Sequence, residues 1–330
     1  MTAPSTVNAA ARAGDGPRRT ARRSRTRTRT RTRRASTWAV RAPLLPALVF
    51  VIAVTQLPFL ATLVLSFFDW NSFHPGSRRF TGLANYATVL GDSTVREAVV
   101  TTTLLTASVV AAALVLGLAL ALLLDRRFPG RALVRTMLIT PFLLVPVAAA
   151  LLWKHLLLNP EYGLLNGVLA WASRLFGDGG APQPDWVSAA PLIAVGAALV
   201  WQWTPFMMLI VLAGLRSRPY EATEAARLDG ASEAQIFRYL TLPHLRRYLE
   251  LGALLGSIHI VQNFDAVFTI TSGSLRTANL PYTIYQIFYQ AHEYGQASAA
   301  GVLAVLGSLV IASVALRVVS SLLRGEASRG

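Results

Sequence analysis

Five stretches of this chain run for roughly 18 or more residues without a charged side chain, and nothing else in the sequence constrains its fold as strongly. The gaps lie between Arg41 and Asp69, Glu97 and Asp125, Arg135 and Lys154, Asp185 and Arg216, and Glu293 and Arg317. A sixth apolar stretch begins after Glu250 and is interrupted only by Asp265. Each is long enough to cross a hydrocarbon layer about 30 Å thick as a helix. Backbone groups in lipid must find their partners within the chain, so such segments are helical. The composition agrees, with 14% charged residues where a soluble domain carries about a quarter. The expected fold class is an all-α polytopic membrane protein of six transmembrane helices, near 43–68, 98–124, 135–157, 188–215, 250–272 and 294–318.

The same composition removes several kinds of chemistry. With no cysteine there are no disulfides, thiolate metal sites, cysteine nucleophiles or lipid-modified N-terminal Cys. His74, His155, His244, His259 and His292 lie too far apart for metal-ligand spacing. Lys154 is the only lysine and sits in Trp153-Lys154-His155, so the Gly-Lys-Ser/Thr of a phosphate-binding loop is missing. The chain is expected to be no enzyme, with no catalytic residues, metal or cofactor, and any ATP consumed must be hydrolysed on another subunit.

Basic residues set the expected orientation. Residues 1–36 form an Arg/Thr-rich tail with a run from Arg25 to Arg34, and they account for much of the net charge of +15. Such a segment has too little apolar surface to fold, and disorder is expected. It reads as a solvated tail that helps fix topology and touches anionic membrane lipid. Charge alone would also allow nucleic-acid binding, though no nucleic acid is expected as a partner. An over-long translation start is a further reading of the same residues. Twelve arginines precede the first span, and further arginines cluster at 126–135, 216–247 and 317–329. The positive-inside rule then puts both termini in the cytoplasm, with external segments near 69–97, 158–187 and 273–293.

The last internal loop, near 216–249, has a local structure of its own. Ser217 can cap a helix whose first turn includes Pro219. Glu221 and Glu224 oppose the positive end of its dipole. Ala222, Ala225 and Ala226 share one face, which lets another backbone approach closely. Gly230 suits a helix-ending residue with positive φ. Ser232 with Gln235 makes a capping-box pattern for a second short helix, and Pro243 is expected to help end it. This helix–turn–helix reads equally as an amphipathic connector on the membrane surface or as a docking element for a partner.

Glu224-Ala225-Ala226-Arg227-Leu228-Asp229-Gly230, nine residues, then Leu240-Thr241-Leu242-Pro243 closely resembles the EAA motif of ABC importer permeases, with Leu240 at the position of the family's isoleucine. Leu212-Ala213-Gly214-Leu215 and Asp229-Gly230-Ala231-Ser232 look like the maltose-type carbohydrate branch of that family. Phe80 to Tyr86 resembles its external segment after the first helix, Asn159 to Asn166 the loop after the third, and Ala278 to Ala300 the entry to the sixth helix in polyol and disaccharide permeases. The resemblance covers about residues 43–320. It implies a type I ABC importer permease fold and a bacterial plasma-membrane location. The implied role is part of the translocation pathway for a sugar or a sugar-like solute such as a polyol. It also implies three partners: a second homologous permease subunit, ABC ATPase subunits and an extracytoplasmic solute-binding protein. The ATPase-coupling residues would be Glu221, Glu224, Ala225, Ala226, Asp229, Gly230, Leu240, Leu242 and Pro243.

Polar groups inside a membrane usually face a pathway or another helix. Gln262, Asn263 and Asp265 in the fifth span are therefore candidate pathway residues. So are Tyr282 and Tyr285, followed by Gln286 and Tyr289, ahead of the sixth. Helix–helix hydrogen bonding for the amides and interfacial anchoring for the tyrosines compete with that reading. Two other functions compete as well: an ABC permease for phospho-glycerol or another organic solute, and a secondary transporter without an ATPase. The latter would be expected to carry more intramembrane acids than Asp265 alone.

Overall fold

The computed structural model describes residues 44–73, 76, 78–175 and 183–327. The tail expected at 1–36 lies outside the described residues. The described residues are helical almost throughout. α1 (Leu45–Leu65) is followed by a two-residue antiparallel pair, β1 (Phe68–Asp69) with β2 (Arg79–Phe80). Next come α2 (Ala84–Gly91), α3 (Ser93–Asp125), α4 (Arg131–Leu143) and α5 (Pro146–Leu151), the last running on as a π-helical turn, Leu152–Leu157. α6 (Leu164–Leu175), α7 (Trp186–Ala189), α8 (Pro191–Arg216), α9 (Tyr220–Leu228) and α10 (Glu233–Ile236) follow. A second π-helical turn, Phe237–Thr241, leads into α11 (Leu242–Val261), then α12 (Asp265–Ile270) and α13 (Leu280–Tyr285). A third, Gln286–Gln290, precedes α14 (Tyr294–Ala327).

α1, α3, α8 and α14 are each long and apolar enough to cross a membrane alone. The expected third span is instead two helices bent by 100° at Leu144–Val145, and counts as a fifth crossing if taken as one. A proline explains the break. Pro146 drives Val145 out of helical conformation, to ψ 132, and opens α5 at its first position. Gln202 of α8 donates to the carbonyl oxygen of Leu144 at 3.3 Å, so an exposed backbone acceptor finds a partner.

The stretch expected as a span at 250–272 starts earlier and ends in a break. α11 begins at Leu242 and stops at Val261; Gln262 to Phe264 then separate it from α12. With Arg246, Arg247 and Glu250 in its first half, α11 is less apolar than the four long helices. α3 also begins before the expected 98, because Asp92 caps it by accepting from the backbone N–H of Thr94 at 2.8 Å.

Residues 55–330 form one unit whose core lies between α3, α8 and α11. Leu105, Val109 and Ala113 of α3 meet Val195, Leu199, Met207 and Val211 of α8, with Leu245 and Ala253 of α11 against them. The α3–α8 crossing is close because of Gly117: a Cβ there would come within 2.7 Å of the Met207 Cβ and 2.9 Å of the Met208 backbone nitrogen. Small residues give helices this approach where no hydrophobic force against lipid drives them together. A second cluster joins Val89 of α2, Val95 and Ala98 of α3, Leu280 of α13, and Ala299 and Ala300 of α14.

Three buried asparagines fasten the segments at the end of the bundle away from α9 and α10. Asn85 donates to the carbonyl oxygens of Ser66 and Phe68, each at 2.9 Å. Asn166 donates to those of Pro160 and Pro184 and accepts from the Trp186 indole N–H at 2.7 Å. Asn279 caps α13 by accepting from the Tyr282 N–H and donates to the carbonyl of Asn263. Lys154, in the first π-helical turn, donates to the Thr269 carbonyl oxygen at 2.8 Å. That places its charge on the C-terminal end of α12, where helix carbonyls lack intrahelical donors.

Candidate functional site

Between α8 and α11 the chain forms a helix–turn–helix. Asp229 is the C-cap of α9, and Gly230 takes φ 84. The N–H of Gly230 donates to the Arg227 carbonyl at 3.1 Å and that of Ala231 to the Ala226 carbonyl at 2.9 Å. This pair of bonds is the Schellman motif, and it uses up carbonyls that the helix end would otherwise leave unpaired. Ser232 then caps α10: its hydroxyl accepts from the Gln235 N–H, and the Gln235 side chain accepts from the Ser232 N–H at 2.7 Å. The expected capping box and positive-φ glycine are both present.

Two local expectations are corrected. Ser217 does not cap α9, whose N-cap is Pro219. Its hydroxyl donates back to the Gly214 carbonyl at 2.9 Å and contacts Tyr248 Oη at 2.7 Å and His244 Nε2 at 3.1 Å, joining α8 to α11. Nor does Pro243 end a helix. It lies in the first turn of α11, and the chain is helical from Glu233 to Val261. A proline nitrogen cannot donate one turn back, and the wider π-helical turn at 237–241 is the local adjustment that keeps the chain helical around it.

The loop presents its motif outward. Glu221, Ala222, Glu224 and Ala225 are exposed and Ala226 is half-buried, while Thr223 on the opposite face is buried. Leu228 is 89% exposed, a large apolar side chain offered at the tip. Asp229 and Gly230 are exposed, Leu240 and Leu242 half-buried, and Pro243 exposed. Arg227 donates to Glu233 Oε1 at 2.8 Å across the turn. That bond is the main reason the Glu233 carboxyl is held below its ordinary value; desolvation opposes it, and the charges of Arg227, Arg218 and Arg126 add to it. Behind the loop lies a cleft of about 790 Å3, lined by Asp125, Arg126, Arg218, Thr223, Arg227 and Thr241 among others.

The second group of expected residues gathers at the other end of α11. Gln262 is its exposed C-cap, and the half-buried Asn263 accepts from the Ala266 N–H at 3.3 Å. Asp265 is half-buried at the first position of α12. Tyr282 is buried and Tyr285 half-buried; their rings lie 6.2 Å and 5.2 Å from that of Phe264. These five residues are therefore neighbours around the break that follows α11, while the helix–turn–helix lies a helix length away, about 30 Å for 20 residues.

The sequence reading missed a wall of rings beside that break. Trp203 and Phe206 of α8 and Phe142 at the end of α4 meet edge to face or stacked, and His259 of α11 lies tilted against Trp203 and Phe206, with centroids 4.9 to 6.3 Å apart throughout. All four are partly or fully exposed. His259 Nδ1 lies 2.8 Å from the Leu255 carbonyl oxygen, which can only accept, so that nitrogen carries a proton. The aromatics are scattered over three apolar segments, and no motif marks them.

A bundle of long apolar helices with two broken ones, carrying a capped helix–turn–helix between two of its spans, defines a multi-pass membrane protein. Residues 113–325 match the family model described as "Binding-protein-dependent transport system inner membrane component", and the chain belongs to that family. It is 33% identical to the probable ABC transporter permease protein y4oQ of Sinorhizobium fredii over 82% of this chain and 86% of the relative. It is 31% identical to the trehalose/maltose transport system permease protein MalF of Thermococcus litoralis over 83% of this chain and 91% of the relative. Its fold is that of a chain from a bacterial ABC transporter involved in the import of the acidic polysaccharide alginate, with a TM-score of 0.71 at 21% identity, covering 86% of this chain and 95% of that one.

Proposed function

We propose that this permease forms part of the pathway of an ATP-driven importer for a sugar or sugar-like solute and is coupled through residues 216–249 to a separate ATPase. The observation that carries the proposal is the outward presentation of Glu221, Glu224, Ala225 and Leu228 on a turn closed at both ends by its own hydrogen bonds. A connector resting on lipid would turn its apolar face down and its charges to water. Here the alanines, the acids and Leu228 share the open side. The small side chains leave room for another backbone, and the two carboxylates suit basic groups on a partner.

α11 gives this loop a mechanical reach. It runs without interruption from the π-helical turn to Gln262, so a displacement at the loop arrives at the break beside the ring wall. A rigid strut that ends at a broken helix suits alternating access, where one body rocks against another around a fixed site. Phe142, Trp203, Phe206 and His259, with Gln262, Asn263, Asp265, Tyr282 and Tyr285, form the pathway side. Flat aromatic faces suit the C–H faces of a sugar ring, and amides and an imidazole suit its hydroxyls. The Thermococcus relative, a trehalose/maltose transport system permease protein, agrees with that chemistry. The chain is then no enzyme itself. It crosses the membrane six times with both ends in the cytoplasm, and it works with a second permease, ATPase subunits and an external solute-binding protein.

Reconstitution tests the whole reading. Vesicles holding this chain, a second permease and the ATPase should import a labelled disaccharide only when ATP is inside and the binding protein outside. Uptake driven by an ion gradient, with no ATP, would overturn it.

A further inference from the structure

We propose that Arg218 is the positioning residue that makes α3 and α11 move as one when the coupling loop is displaced; the proposal rests on the importer reading above. Arg218 lies just past α8, where the chain leaves the bundle for the loop. Its guanidinium points across the cleft and bridges two elements that no loop joins. Nη1 donates to Thr241 Oγ1 at 2.6 Å, and Nη2 lies 3.7 Å from Asp125 Oδ2. Asp125 is the last residue of α3 and Thr241 the last of the π-helical turn that feeds α11. One side chain thus ties the exit of α8, the end of α3 and the start of α11.

Both anchors are informative. Thr241 is buried, 2% exposed, so the guanidinium reaches a hydroxyl shielded from water, where a charge-assisted bond is stronger than on the surface. The π-helical turn is also where the helical ladder changes register, a feature that marks hinges and functional segments. The Asp125 arm is looser. At 3.7 Å it is an ion pair rather than a close hydrogen bond, with the partners' side chains 24% and 33% exposed. A guanidinium is planar and presents several donors in a fixed fork, so it can hold both anchors at once, whereas a lysine offers a point charge on a flexible stem. Arg227 and Glu233 close the turn at the tip, on the far side of the same cleft, so loop shape and loop-to-bundle linkage are carried by different arginines. The tip can dock with Arg218 absent; the displacement would then reach α11 through the backbone alone and leave α3 behind.

Arg218→Gln, Asp125→Asn and Thr241→Val test this in vesicles that also hold the second permease, the ATPase and the binding protein. All three variants are expected to retain the ATPase and hydrolyse ATP, while uptake per ATP falls about threefold to tenfold, the range for removing one contact from a coupling path. The double variant Arg218→Gln/Asp125→Asn should be no worse than Arg218→Gln alone, and Arg218→Lys should recover part of the loss. Because the chain has no cysteine, spin labels can be placed at Arg127→Cys and Arg238→Cys on the purified chain, without background from its own residues, before it is assembled with the other subunits. Their separation should stay constant between nucleotide-free and nucleotide-trapped states in the parent and change in Arg218→Gln. Unchanged uptake per ATP, or loss of the ATPase subunit, would overturn the proposal. If Arg218→Gln fails to insert, the two anchor variants decide. A parent complex that neither binds the ATPase nor imports refutes the importer reading itself, and that arm is read first.

Discussion

Arg227 and Glu233 form an ion pair at 2.8 Å across the turn made by Gly230, linking α9 to the first residue of α10. The Arg227 bond lowers the Glu233 pKa, so the folded value lies below the unfolded one. The pair's contribution is then complete above the ordinary glutamate range and is lost only as pH falls through the lowered value. Amide exchange across residues 229–236 should be flat from about pH 8 to about pH 5 once corrected for intrinsic rates. It should rise only under stronger acid, and Glu233→Gln should remove that dependence. A rise near neutrality would contradict the assignment.

Gly230→Asp and Glu224→Lys should insert normally yet weaken ATPase binding and uptake together. A Cβ at Gly230 meets nothing within 4 Å, so the penalty comes from φ 84, about 1 kcal/mol for an L-residue, and falls on the turn rather than the spans. At Glu224 the reversal turns attraction into repulsion. Co-purification of the ATPase with each variant is the measurement, and normal retention by both would leave the loop a mere connector.

Trp203→Ala should lower the affinity for a disaccharide by about tenfold, the loss of roughly 1.4 kcal/mol expected for one stacking ring. ATPase retention should not change, because Trp203 lies on the ring wall and away from the loop. An unchanged concentration dependence of uptake would remove the ring wall from the pathway.

Asn279 is fully buried and serves both the Asn263 carbonyl and the Tyr282 N–H. Asn279→Ala strands two backbone groups at a cost of about 1–3 kcal/mol each. The purified protein should melt several degrees earlier in detergent. A variant as stable as the parent would show that other donors replace the amide.

Reporter fusions after Arg34 and after Arg324 should both read as cytoplasmic, since basic residues set the orientation of the spans. An external signal from either would sink the six-span arrangement.

Much of the coupling loop was legible in advance because its signals are local. A capping box needs residues three apart, and a Schellman turn needs a glycine that tolerates positive φ; both can be read along the chain. Pro243 misled because one chemical fact, the missing N–H, has two structural answers: ending the helix or widening a turn. The π-helical turn at 237–241 is the second answer, and packing of Leu245 and Leu249 into the core favours continuing the helix.

The sequence alone determined that this chain lies in a membrane as helices, because long charge-free runs leave the backbone no other way to satisfy itself in lipid. It also determined where the loop turns. Tertiary structure decided which helices break and what faces the break. Leu144 can stay unwound because Gln202, 58 residues away, reaches its carbonyl. The wall of Phe142, Trp203, Phe206 and His259 forms because α4, α8 and α11 are packed together. Arg218 joins Asp125 to Thr241 across 116 residues of chain for the same reason. Contacts between distant residues depend on how helices pack, and a single sequence carries no record of that pairing.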